Sequence, residues 1–114
     1  LARVLSPQPT TDDRLTEMNF GHWEGQRWDD VPRDELDAWA ADIAGYAPPG
    51  GESPRALQMR AVAFVQSLAV PEAIIVTHAG VIRTLIAHWH NIPPSQWSSI
   101  EVPYGSCTRV SIPQ

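Results

Sequence analysis

The pattern of the chain predicts an α/β fold, and three observations carry that prediction. Apolar residues recur at helical spacing over residues 32–44, over the stretch behind Ser53, and from Gly80 to His90. A continuous apolar, β-branched run, Ala73-Ile74-Ile75-Val76-Thr77, lies between the last two stretches. Cys107 to Ile112 alternates as a closing strand. A β-branched run with a helix on each side reads as a strand buried on both faces of a parallel sheet.

Residues 1–5 read as the last turn of a helix, which Pro7-Gln8-Pro9 breaks. Thr10 to Leu15 is a short strand or extended loop. Thr16 to Gly25 holds two acids, two glycines, a histidine and a tryptophan without any period, the composition of a functional loop. Pro32 stands at a first helical position, with Asp34 and Glu35 placed to favour the positive helix end. Leu36, Trp39, Ala40 and Ile43 then follow i, i+3, i+4, i+7. Ala47-Pro48-Pro49-Gly50-Gly51 is a loop. Ser53 is an N-cap with Pro54 behind it, and Leu57, Ala61, Phe64, Val65 and Leu68 make one stripe. In the last helix Ile82, Leu85, Ile86 and Trp89 are expected inward, and Pro93-Pro94 stops it. Two strands and one short extended piece give these helices too little sheet to cover. Residues 1–114 are therefore expected to be the C-terminal part of a single larger domain.

Composition removes several classes of protein. Of the 114 residues 43% are hydrophobic and 18% charged, enough apolar material for a core and too little charge for disorder. No apolar run approaches the roughly 18 residues of a membrane span. A single cysteine, Cys107, makes no internal disulfide and no cysteine zinc site. The net charge of −5 argues against nucleic acid as a partner. That charge is uneven, negative over residues 1–52 and slightly positive beyond, and all eight cations are arginine.

Two segments carry chemistry. In Ile75-Val76-Thr77-His78-Ala79-Gly80 a buried strand runs into a tight turn bearing His78, and a helix opens at about Ala79 to Gly80. Ligands of open α/β sheets bind at such strand ends, where the next helix presents free N–H groups and a positive dipole end. An imidazole there suits a phosphate or carboxylate; the plainer alternative is that His78 only bonds a loop carbonyl. The second segment, Leu15-Thr16-Glu17-Met18-Asn19-Phe20-Gly21-His22-Trp23-Glu24-Gly25, sets two carboxylates among aromatics and glycines. An acid shielded from water by Phe20 or Trp23 is suited to general acid work, whereas a solvated loop charge is not. His88 and His90 point to different helix faces and make a poor metal pair. Arg83, one turn into the last helix, reads as a partner for a surface acid in preference to a group reaching toward the site, and the five tryptophans read as core in preference to a pocket wall.

With Pro48-Pro49-Gly50-Gly51-Glu52-Ser53 between them, the two segments form an ordered pattern over residues 15–83. That pattern resembles the histidine phosphatase superfamily, the phosphoglycerate-mutase-like phosphatases. The resemblance implies a three-layer helix/mostly parallel sheet/helix domain, of which this chain is the C-terminal part. It implies phosphomonoester hydrolysis through a phosphohistidine, without a cofactor or metal. Glu17 matches the general acid, His78 the second histidine that holds the phosphoryl oxygens, and the N–H groups of Ala79 or Gly80 add donors. Glu24, Glu52 and Ser53 are expected to order loops and cap helices. The family's nucleophile lies in an Arg-His-Gly triplet, and no histidine of this chain follows an arginine. The 114 residues alone are accordingly expected to be inactive. Within the family, residues 39–53 and Pro103-Tyr104-Gly105-Ser106 look most like alpha-ribazole-phosphate phosphatases of cobalamin assembly. Alternatives are a broad-specificity sugar-phosphate phosphatase, a phosphoglycerate mutase, or a non-catalytic phospholigand binder. The expected partner is a small phosphorylated metabolite, with no nucleic acid and no membrane. Self-association is expected to be a homodimer if any, and the location cytoplasmic.

Overall fold

The computed structural model describes residues 9–113. The helix tail expected at residues 1–5 lies outside them. Three α-helices organise the rest: α1, Arg33–Ala41; α2, Pro54–Gln66; and α3, Ala79–Trp89. Short 3-10 turns at Asp13–Leu15, Gly21–Trp23 and Trp28–Asp30 shape the early loops, and another at Pro94–Ser99 follows α3.

Each helix begins and ends for local reasons. Pro32 is the N-cap of α1 rather than its first residue, because its ψ of 135° is extended. The helix stops at Ala41, three residues short of expectation, where the Asp42 carboxylate takes the N–H of Gly45 and makes a turn. Ser53 caps α2 as the sequence predicts, its Oγ accepting from Ala56 N at 3.1 Å. Helix α3 ends in a left-handed Asn91 at φ 56°. Ile92 N donates to Ala87 O, and Asn91 N more weakly to His88 O, so the last carbonyls are used before Pro93 arrives.

Helix α2 packs along α3, the turn at Asp13–Leu15 sits on α2, and the turn at Pro94–Ser99 sits on α3. Leu57, Ala61 and Val81 close one apolar cluster, with Leu15, Met18 and Leu85 around it. Ala44, Ala87 and Trp97 close a second, flanked by Ile92 and Ile100. Helix α3 serves both clusters. Its buried residues are Val81, Thr84, Ile86 and Ala87, a face rotated from the expected one, since Ile82, Leu85 and Trp89 are half-buried. Gln58 Nε2 reaches across to Thr84 O at 3.0 Å and ties the two helices.

The expected strands are where structure and sequence part. Among the described residues no strand forms: 73–77 and 107–112 carry no regular structure, and residues 10–15 divide into an irregular piece and a turn. A strand exists only as a ladder with a neighbour, and neither segment has one here. The helices keep their hydrogen bonds internally and form regardless. The sheet layer of the expected sandwich is thus not seen among the described residues, and Ile74 is 76% exposed rather than buried on both faces.

Candidate functional site

The loop bearing Glu17 is built by an arginine that the sequence reading passed over. Arg60, on α2, forms a fork with Glu52, Nε to Oε2 at 3.2 Å and a terminal N–H to Oε1 at 2.7 Å. Its remaining N–H groups donate to the carbonyls of Arg14 at 2.8 Å and Glu17 at 3.2 Å. Glu52 also accepts from Asn19 N, and its own N–H donates to Asn19 O. Burial pushes the Glu52 carboxyl up, but hydrogen bonds from Arg60 and Asn19 and the Arg60 charge prevail and hold it below the ordinary value. The available signal was an arginine beside Ala61, near the apolar stripe of α2, eight positions after the Gly-Glu-Ser acid.

Nearby, Asp12 and Arg14 form a second fork, with contacts of 2.9 and 2.8 Å. The Arg14 side-chain bond, then its backbone N–H, hold the Asp12 carboxyl down at about 2. The guanidinium lies over the Phe64 ring, 5.3 Å from its centroid, which fastens the turn to α2.

The motif glycines are places where backbone meets backbone. Gly21 has φ +56°, and a Cβ there would strike Pro49 O and Gly51 N. A Cβ on Gly51 would come within 2.5 Å of Asn19 O. The two loops therefore touch main chain to main chain, joined by His22 N to Pro49 O at 2.8 Å. Glu24 accepts from Phe20 N, so Glu24, Glu52 and Ser53 all hold loops or cap a helix, as expected.

The loop meets the segment that leads into α3. Thr77 Oγ1 donates to Leu15 O at 2.6 Å. The Glu17 carboxylate, one oxygen of which accepts from Met18 N at 2.8 Å, lies against the first turn of α3. A Cβ at Gly80 would stand 2.5 Å from Glu17 Oε1, so only glycine leaves that carboxylate where it is. His78 is the N-cap of α3, with φ −102° and ψ 157°, and no side chain caps the helix there. The first-turn N–H groups of Ala79 and Gly80 thus have no side-chain cap. Glu17 and His78 are both exposed. Of the four residues singled out from the sequence, His78, Ala79 and Gly80 form the start of α3, and the Glu17 carboxylate lies beside Gly80.

Other expectations fare differently. Arg83 donates to Ile100 O at 3.0 Å instead of pairing with an acid. Trp97 and Trp23 are buried, Trp23 donating to Glu35, while Trp28 is 63% exposed. Cys107 is free and exposed. Among the described residues no three His, Cys, Asp or Glu side chains converge as metal ligands. No helix among them is long and apolar enough to cross a membrane.

Residues 1–114 match the histidine phosphatase superfamily (branch 1), and the chain belongs to that superfamily. It is 30% identical over 111 aligned positions to the adenosylcobalamin/alpha-ribazole phosphatase of Salmonella typhimurium, covering 82% of this chain and 55% of that one. The alpha-ribazole phosphatase from Shigella flexneri superposes with a TM-score of 0.72 at 28% identity, over 90% of this chain and 56% of the other. The phosphoglycerate mutase from Thermus thermophilus superposes with a TM-score of 0.62 at 33% identity, over 77% of this chain and 50% of the other. The chain spans about half the length of the curated relatives it matches.

Proposed function

We propose that the chain supplies the general acid and the second phosphate-holding histidine of a phosphomonoesterase that works through a phosphohistidine. Alpha-ribazole 5′-phosphate is the leading substrate. Glu17 protonates the leaving alcohol oxygen as the phosphoryl group passes to the nucleophilic histidine of an Arg-His-Gly segment. Water then attacks the phosphohistidine, with the Glu17 carboxylate as base, releasing inorganic phosphate and restoring the imidazole. His78 and the N–H groups of Ala79 and Gly80 hold the equatorial oxygens, because phosphoryl transfer depends mainly on positioning and charge stabilisation. The observation that carries the reading is the contact of the Glu17 carboxylate with the Gly80 backbone at the start of α3. The likeness to alpha-ribazole phosphatases supports the substrate, and the likeness to a phosphoglycerate mutase keeps that activity as the second reading.

The test is an assay of a polypeptide containing residues 1–114 together with an Arg-His-Gly segment, against alpha-ribazole 5′-phosphate, small sugar phosphates and phosphoglycerate. Highest kcat/KM on alpha-ribazole 5′-phosphate is expected, and a preference for phosphoglycerate or a sugar phosphate rejects the cobalamin assignment. Glu17→Gln should lower kcat about 10²- to 10⁴-fold. Gly80→Ala should lower it too, by pushing the carboxylate aside, while leaving the helix intact. Unchanged turnover in both variants removes Glu17 from the chemistry. The 114-residue chain by itself, without the triplet, should show no turnover.

A further inference from the structure

One planar peptide unit connects Arg60 to the Glu17 carboxylate. A terminal N–H of Arg60 donates to Glu17 O at 3.2 Å. The N–H of that same peptide, on Met18, donates to Glu17 Oε1 at 2.8 Å. A peptide is rigid, so whatever fixes its carbonyl also fixes the direction of its N–H. The guanidinium holds one end of the unit, and the other end holds the carboxylate.

Arg60 is itself fixed. It forks onto Glu52, each side chain 22% exposed, and donates also to Arg14 O. Glu52 grips the next two peptides, accepting from Asn19 N and donating its own N–H to Asn19 O. The backbone from Glu17 to Phe20 is therefore tied to one ion pair. Glu17 is exposed, and an exposed glutamate turns freely about its side-chain bonds unless something holds it.

We infer that Arg60, with Glu52 behind it, is a positioning residue for proton donation by Glu17, an inference that rests on the phosphatase reading above. Because the Met18 N–H occupies Oε1, the proton sits on Oε2. It passes to the ester oxygen as the P–O bond breaks, and the bonding pair stays on that oxygen to complete the alcohol. Misplacing a reacting group by about 1 Å costs on the order of 10²-fold in rate. Losing the hold on the 17–18 peptide is a displacement of that kind.

The test uses two phosphate esters and the polypeptide that joins residues 1–114 to an Arg-His-Gly segment. Glycerol phosphate needs a proton on its leaving oxygen, whereas p-nitrophenyl phosphate expels a nitrophenolate that needs none. Their kcat/KM values report the step that expels the leaving group, and a merely loosened fold slows both together. Glu17→Gln should lower the glycerol-to-nitrophenyl ratio of kcat/KM about 100-fold, and Arg60→Ala at least about tenfold. Arg60→Lys keeps a charge beside Glu52 but has no fork to span Glu52 and the Glu17 carbonyl together, so it should lower the ratio with a smaller loss of stability. Arg60→Ala added to Glu17→Gln should lower the ratio no further, since the two act as one unit. Where Glu17→Gln lowers the ratio, an unchanged ratio in both Arg60 variants overturns the inference, and so does a further fall in the double variant.

An NMR pH titration of the same polypeptide reads the geometry apart from turnover. The Met18 amide should shift as Glu17 takes up its proton, and in Arg60→Lys that shift should vanish. Its persistence overturns the inference. A vanished shift, with a ratio that Glu17→Gln leaves unchanged, keeps the hold of Arg60 on the carboxylate and rejects Glu17 as the acid.

Discussion

Residues 12–25 and 48–53 hold almost as little regular structure as residues 69–77 and 101–113, yet the first pair is held atom by atom and the second lies bare. In the first pair the polar groups find partners nearby: Asp12 with Arg14, Glu24 with Phe20 N, Glu52 with Arg60 and Asn19, Asn19 with Gly21 N. In the second, Ile74 and Tyr104 face solvent, and the ion pair between Glu72 and Arg109 is exposed on both sides. The difference is one of range. Loops stitched by side chains and glycine contacts are complete once α2 and α3 are in place, whereas an extended apolar segment needs a neighbouring strand for its backbone and a layer for its faces.

The comparison can be broken or sharpened by substitution. The largest effect is expected at Leu57, 1% exposed between the two helices, where Leu57→Ala should cost about 3 kcal/mol in urea denaturation. A cost near zero means that the helix pair is not the core. Next comes Arg60→Ala, which strands Glu52 and two carbonyls and should cost about 2 kcal/mol at neutral pH. Because the Glu52 carboxyl is held below its ordinary value, the fork stabilises the fold fully above the usual carboxylate range. That contribution fades as pH falls through the lowered value, so the wild-type advantage over Arg60→Ala should shrink in acid. An advantage independent of pH means that the fork is not what Arg60 contributes.

Ser53→Ala removes the cap of α2 and should cost about 1 kcal/mol. The smallest effect belongs to the other region: Ile74→Asp should move the stability of the 114-residue chain by no more than about 0.5 kcal/mol, since the side chain is 76% exposed. A large loss there, measured in the same denaturation series, erases the contrast between the two regions.

Much of the site was legible because it is written in short-range chemistry. Ser53-Pro54 announces a helix start, and His78-Ala79-Gly80 the opening of a second one. Arg60 was not legible as a clamp, because its partners at Arg14 and Glu17 lie more than forty positions away in the sequence. The bond of Arg83 to Ile100 O was missed for a related reason: a carbonyl leaves no mark in the residue pattern. The strands were readable as preference and absent as structure.

The amino-acid sequence alone determined where helices start and that the chain resembles a histidine phosphatase, since caps, periodicity and motif order act over a few residues. The tertiary structure alone decided that Glu17 rests against Gly80, that Arg60 holds its loop there, and that Ile74 and Val76 stay uncovered. Contacts between distant residues depend on how α2 and α3 pack, and a strand depends on a neighbour that its own residues cannot supply.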